Sequence, residues 1–239
     1  MFEEFPKKRI ELPGEFKKIY LSHYQKNRSG ATLATFFSRR MERWMHKKAA
    51  ADARTNKQAV TLEVGAGTLN HLPYEDTAIY DIVEPFKELY ENEPGLKKIR
   101  RVYVDIDEIE VVNKYDRIIS IAMFEHVLDL PKIVAKTGLL LNEKGTLRVA
   151  IPNEGSFLWN LGWRLTTGIE YRLKYGLDYG ILMKYEHVNS AREIEDVLLY
   201  FYKKVRCSYF GLNKNFAFYR FYECTNPDTE KIKNYLQEK

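Results

Sequence analysis

Cysteine is nearly absent from this chain: 2 in 239 residues, Cys207 and Cys224. That excludes a disulfide framework and a Cys-rich zinc site. Long apolar runs are missing as well, and none approaches the roughly 20 residues that span a bilayer. The stretch from Met1 to Phe16 is charged and holds prolines rather than an apolar signal segment. A cytoplasmic location is therefore expected. There is no internal repeat, no low-complexity linker and no evident metal cluster. His23, His46 and His71 are scattered and read as structural or surface residues. What is present is 45% hydrophobic and 30% charged residues, enough for a packed core under a soluble surface. The length fits one large α/β domain with additions, or a core plus a cap.

Acidic charge is scarce at the start. Residues 1–58 hold 14 Lys/Arg against 6 Asp/Glu, so the net charge of +5 comes from this part and the remainder is slightly acidic. A basic extension attracts phosphates, an acidic glycan or an anionic membrane surface, and it reads equally as a solvated helix face. Within it, Thr32 to Ala53 reads as an amphipathic helix. Leu33, Phe36, Phe37, Met41, Trp44 and Met45 recur at helical spacing, with Arg39, Arg40, Arg43, Lys47 and Lys48 around them. Docking on the main body is the first expectation for this helix, and peripheral membrane contact the second.

From Val60 onward, short apolar segments alternate with helical ones. Strands are expected at Val60–Val64, Ala78–Val83, Arg101–Val104, Arg117–Ala122 and Thr146–Ile151, with helices at Phe86–Glu93 and Pro131–Leu141 and a turn at Asn142–Gly145. This pattern predicts a doubly wound, mostly parallel sheet with helices on both faces. Ser190-Ala191-Arg192-Glu193 has capping-box spacing and opens another helix. Val205–Phe210 and Phe216–Tyr222 read as a closing antiparallel hairpin. The stretch 153–185 breaks the rhythm with many aromatics, and reads as an inserted helical cap or as a peripheral helical hairpin.

Four elements fall at strand ends. Glu63-Val64-Gly65-Ala66-Gly67-Thr68 is a strand running into a tight turn, where glycine allows left-handed backbone and close approach of a ligand. The Glu63 carboxylate repels a pyrophosphate and attracts a ligand bearing an amine and a sulfonium. Glu84, followed by Pro85, can accept both hydroxyls of a ribose. Asp105, followed by Ile106, can accept from an adenine amino group. Ser120 to His126, through Ala122 and Met123, leaves the fourth strand beside the first.

In this order the motifs resemble the class I, seven-strand S-adenosylmethionine-dependent methyltransferases, small-molecule branch, over about residues 58–225. The resemblance implies a seven-strand Rossmann-like sheet and S-adenosyl-L-methionine as cofactor. It implies a cofactor site of Glu63, Gly65, Ala66, Gly67, Thr68, Glu84, Pro85, Asp105, Ile106, Ala122, Met123 and His126. Glu186-His187-Val188-Asn189-Ser190 is similar to the His-containing segment before the family's last helix. His187 and His126 are the candidate bases for transfer to a hydroxyl, and each reads alternatively as a packing or capping residue. The organisation expected is a basic helical extension (1–57), a core (58–225) with an inserted cap (153–185), and a C-terminal tail (226–239).

The family's nucleic-acid N-methylating members carry an Asn/Asp-Pro-Pro-aromatic loop after the fourth strand. Ala122-Met123-Phe124-Glu125 stands there instead, which disfavours a nucleic-acid acceptor. Aromatics in the insert suit a sugar, a carrier-linked glycan or another small hydroxyl acceptor. The rival classes are a nucleotide-binding oxidoreductase and a non-catalytic partner protein. The first needs a third glycine where Asn70 stands. The second would lose its partner on replacement of Arg39, Arg40 and Arg43 while methyl transfer persisted.

Overall fold

The computed structural model describes residues 2–17, 19 and 35–238, with only the backbone given for 35–39. His23 and the side chains of Leu33, Phe36, Phe37 and Arg39 lie outside the described residues. Seven strands form one sheet: β1 (Val60–Val64), β2 (Ile79–Val83), β3 (Arg101–Tyr103), β4 (Tyr115–Ile121), β5 (Leu141–Pro152), β6 (Tyr202–Gly211) and β7 (Ala217–Pro227). Their spatial order is β3-β2-β1-β4-β5-β7-β6. The first five run parallel, β7 lies antiparallel to β5, and β6 antiparallel to β7. This is the mostly parallel α/β sheet with a closing hairpin that the sequence pattern predicts. The chain runs outward from β1 to β3, then returns to place β4 on the other side of β1. An open α/β sheet takes its ligand at such a reversal, outside the C-terminal strand ends. Gly65 to Thr68 and Ala122 to His126 both leave the sheet there.

Strand side chains alternate between faces, so neighbours in sequence serve different cores. Ile118 joins Leu62, Val64, Val134, Ile194 and Phe201 on one face, under the helices Leu130–Leu140 and Ala191–Phe201. Ile119 joins Ala150 and Phe221 on the other, under Met45 and Ala49 of the helix Thr35–Ala49. The capping box at Ser190 and Glu193 is formed. Among the described residues, no helix is long and apolar enough to cross a membrane.

The structure departs from the sequence expectations in three places. The helix expected over Phe86–Glu93 is a single 3-10 turn, Lys87–Leu89. Glu84 Oε1 accepts the Phe86 N–H at 3.0 Å and holds Phe86 extended, which competes with helix initiation. The expected turn Asn142–Gly145 lies inside β5, as an irregularity in its register with β4 between Tyr115 and Arg117. The segment expected as a tail carries a helix, Thr229–Gln237, whose Ile232 and Tyr235 belong to the main core. Ile232 is fully buried. Ile232→Ala is expected to lower unfolding stability by about 2–3 kcal/mol, through lost burial and the cavity left behind. A urea titration checks this, and a change below half a kcal/mol would show that the helix is not part of the cooperative core.

The insert folds as short helices: Phe157–Trp163, a π-helical turn Arg164–Gly168, Ile169–Tyr175 and Tyr179–Glu186. The N-terminal segment buttresses it. Leu12 and Phe16 pack with Tyr171 and Leu182 in a separate small core.

Candidate functional site

The first strand ends where glycine is required. Gly65 has φ +80° and Gly67 φ +51°, in the left-handed region that side chains disfavour. The two glycines face different surroundings. A Cβ on Gly65 would meet Met123 Cγ at 2.4 Å, whereas one on Gly67 would meet nothing within 4 Å. Met123 therefore roofs Gly65, and the open side of the loop is at Gly67. Ala66 is buried and Thr68 half-buried.

Glu84 closes this loop onto β2. Its Oε2 accepts the Gly67 N–H at 2.8 Å while Oε1 accepts the Phe86 N–H. Each oxygen keeps a lone pair, so the carboxylate is held rigidly and can still accept ribose hydroxyls. Pro85 beside it is exposed. Asp105 is exposed at the end of β3, where its Oδ1 caps the following turn by accepting from the Asp107 N–H at 2.8 Å. Ile106 turns into the main core.

Glu63 is 2% exposed and accepts a hydrogen bond from Tyr80 Oη at 2.9 Å. Burial pushes its pKa up to about 8, against the Tyr80 hydrogen bond and helped by the charges of Glu75 and Glu84. Such a carboxyl is protonated at neutral pH and becomes a counter-ion when a cationic ligand beside it favours the ionised form.

The fourth strand ends at Ile121 and is followed by Ala122, an exposed alanine at φ +49°. This turn carries the chain through Met123 into the 3-10 turn Phe124–His126. The two candidate bases, 61 residues apart in sequence, meet here. The rings of His126 and His187 lie 4.9 Å apart, edge to face. His126 Nδ1 lies 3.0 Å from the Glu186 carbonyl oxygen, which can only accept, so Nδ1 carries the proton. His187 Nδ1 lies 2.8 Å from Glu154 Oε2. Trp159 Nε1 donates to the same carboxylate oxygen. Burial lowers the His126 pKa to about 4, with the neighbouring His187 adding to the shift. Burial also works to lower His187, but the Glu154 hydrogen bond and the charges of Glu125, Glu154 and Glu186 outweigh it and the net shift is upward.

Backbone contacts lock this arrangement. Arg9 donates to the carbonyls of Tyr185, Glu186 and His126, and so ties both histidine segments to the N-terminal strap. Asn189 Nδ2 donates to the Phe124 and Val127 carbonyls. The Val188 and Asn189 amides donate to the Glu125 carbonyl. His187 also lines a cavity of about 890 Å³ among the helices of the insert, together with Glu154, Trp163, Arg164, Arg172 and Lys184.

Glu154 and Arg9 are participants not singled out from the sequence, whereas Trp159 is one of the aromatics of the insert. Glu154 had a visible signal, since it lies just beyond the C-terminal end of β5, at the same sheet edge as Glu63, Glu84 and Asp105. Arg9 had none. Of the two readings, structural or surface, His46 and His71 take the structural one. They are buried, with their Nδ1 atoms 3.0 Å apart.

No family model matches the chain, and no curated protein matches it either. Solved structures do. The chain is similar to the plantazolicin methyltransferase BpumL in complex with a monoazolic desmethylPZN analog and SAH, at 15% identity over 88% of this chain and 92% of that one, TM-score 0.61. It is similar to the 1,6-didemethyltoxoflavin-N1-methyltransferase of Burkholderia thailandensis with bound S-adenosylhomocysteine, at 12% identity over 91% and 94%, TM-score 0.56. It is also similar to a SAM-dependent methyltransferase of Thermotoga maritima, described as a possible histamine N-methyltransferase, at 16% identity over 80% and 97%, TM-score 0.51. The fold is that of the class I methyltransferases.

Proposed function

We propose that this chain, built on the class I methyltransferase fold, is an S-adenosylmethionine-dependent methyltransferase that O-methylates a sugar, a glycan precursor or another small hydroxyl acceptor. One observation carries the reading. The His126–His187 pair stands three residues from the Met123 that touches Gly65, and His187 forms part of the wall of the cavity in the insert. His187 links the histidine pair to the cavity, and Met123 links the same turn to the glycine loop.

The residues fit the cofactor. Gly67 leaves open space where a side chain would intrude, Glu84 offers oriented oxygens to a ribose, and Glu63 offers a buried counter-ion. Asp105, Ala122 and Met123 follow the ends of β3 and β4 at the same sheet edge. Bound there, S-adenosylmethionine supplies an electrophilic methyl group on a sulfonium. The chain's own task is to align the acceptor and to help its hydroxyl lose a proton. Both histidines turn Nε2 away from their Nδ1 partners, with the Glu154 carboxylate behind His187. Such a wall suits a hydroxyl better than an amine, which is nucleophilic without help. Trp163 offers a stacking face for a sugar ring, and Arg164, Arg172 and Lys184 favour an acidic or phosphorylated acceptor. The structural neighbours are named for a desmethylPZN analog, 1,6-didemethyltoxoflavin and histamine, so they support the donor and leave the acceptor to this cavity.

Isotope-labelled S-adenosylmethionine, offered with nucleotide sugars, lipid-carrier glycans, peptides and RNA, tests the reading. Label is expected on a sugar or small-molecule oxygen. Label only on nitrogen, protein or nucleic acid would overturn the acceptor assignment. Tight NAD binding without S-adenosylmethionine binding would overturn the enzyme class.

Glu63 makes cofactor binding pH-dependent. In the free protein it is protonated below about pH 8. A cation beside it favours the ionised form, so binding releases a proton. Affinity is then expected to rise with pH, by up to about tenfold per unit, and to level off above about pH 8. Calorimetry in buffers of different ionisation enthalpy reads the proton release, which Glu63→Gln should remove. A flat profile in the unaltered protein would place the cation elsewhere.

A further inference from the structure

The Glu125–His126–His187 cluster holds three ligand atoms that all lie within 4.8 Å of one another. Three observations set it apart from a chance grouping. Glu125 is 2% exposed, and its Oε2 has no hydrogen-bond partner among the described residues. A buried carboxylate oxygen without a partner is costly unless something occupies it. Both imidazoles are tied through Nδ1, His126 to the Glu186 carbonyl and His187 to the Glu154 carboxylate. That leaves Nε2 of each, in the neutral ring, with its lone pair available. A histidine whose other nitrogen donates to a carbonyl or carboxylate is the arrangement that orients a metal-ligating ring. Finally, Arg9 and Asn189 fix the backbone under both segments, so the three side chains are preorganised.

We propose that Glu125, His126 and His187 bind one divalent first-row transition-metal ion, with coordination positions left for an acceptor, and His187 joins this cluster to the cavity in the insert. Two imidazoles and one carboxylate suit Zn²⁺, Mn²⁺ or Co²⁺. Metal–ligand bonds of about 2.0–2.2 Å need donor atoms somewhat closer than they stand here, which small side-chain rotations supply. This inference rests on the methyltransferase reading and deepens it, because it specifies an oxygen acceptor. A hydroxyl whose oxygen ligates the ion ionises much nearer neutral pH. Its proton passes to water in the open cavity. The oxygen then forms a bond to the donor's methyl carbon while the methyl–sulfur bond breaks and the sulfonium becomes a thioether.

The test uses the full chain, stripped with chelator and titrated with Co²⁺, Zn²⁺ and Mn²⁺. One equivalent is expected to bind, with Co²⁺ giving the visible absorption of a low-coordinate site. Glu125→Gln keeps the side-chain shape and the backbone contacts, and is expected to weaken Co²⁺ binding at least about tenfold. Glu154→Gln, behind His187, is expected to weaken it about 10–100-fold without removing a ligand. No stoichiometric binding, or equal binding by both variants, would overturn the site. Metal-free protein is titrated with S-adenosylmethionine in parallel. Cofactor binding without metal binding sinks this inference alone, while absence of cofactor binding sinks the reading beneath it.

Discussion

Glu84→Ala is expected to weaken S-adenosylmethionine binding by about 10²- to 10³-fold, the loss of two hydrogen bonds to a charged acceptor. The carboxylate is not a free-swinging surface acid. It is 5% exposed, and one backbone N–H from each side of the crevice, Gly67 and Phe86, fixes its plane. Removing it takes away the ribose acceptors and also frees the Gly67 end of the loop. Glu84→Gln is not a gentle control. An amide has one accepting oxygen, so its NH₂ would face one of the two backbone donors. Its loss is expected to approach that of the alanine variant. Calorimetry measures both, and circular dichroism verifies the sheet. Affinity within threefold of the unaltered protein would remove Glu84 from the site.

How much of this was legible beforehand follows from how far apart the participants lie. Glu63, Gly65, Gly67 and Glu84 could be found because a strand end is a local event. An apolar run stops, and the next residues must face the crevice. The sheet order needed only the same periodicity and the alternation of elements. The histidine wall is different. His126 and His187 were each visible as candidates, but nothing in either segment says that they meet, or that Glu154 backs one of them. Their meeting depends on the Val188 and Asn189 amides bonding to Glu125, a contact between distant parts of the chain. For the same reason the sequence shows no metal cluster, although the fold brings Glu125, His126 and His187 together. The helix expected at Phe86 is only a short 3-10 turn, and Phe86 stands extended where Glu84 accepts its amide.

Arg117 shows the same limit, and it carries the largest expected stability effect. In sequence it is a lone cation opening an apolar strand. In the fold it is 2% exposed and bonds to both oxygens of Glu75, at 2.8 and 3.0 Å. It also donates to the Ala49 carbonyl at 3.0 Å and to Thr61 Oγ1, and pairs with Asp52. Arg148 reaches the same helix end through the Ala49 and Lys48 carbonyls. Two arginines from the sheet thus satisfy the last carbonyls of the helix Thr35–Ala49, where the helix dipole favours positive charge. Arg117→Ala is expected to cost about 3–5 kcal/mol, because it strands the buried Glu75 carboxylate. The double change Arg117→Met with Glu75→Gln should recover much of that, since no charge is left without its partner. Acid provides an independent check. Burial would raise the Glu75 carboxyl, but hydrogen bonds from His71 and Arg117 overcome it and hold the pKa at about 2, below its ordinary 4.5. The depressed pKa means this stabilisation is complete above the ordinary value and is lost as pH falls toward 2. Urea titrations from pH 7 to pH 2.5 should therefore show the gap between the unaltered protein and Arg117→Ala narrowing below about pH 4.5. A constant gap would mean that the arginine acts by packing alone.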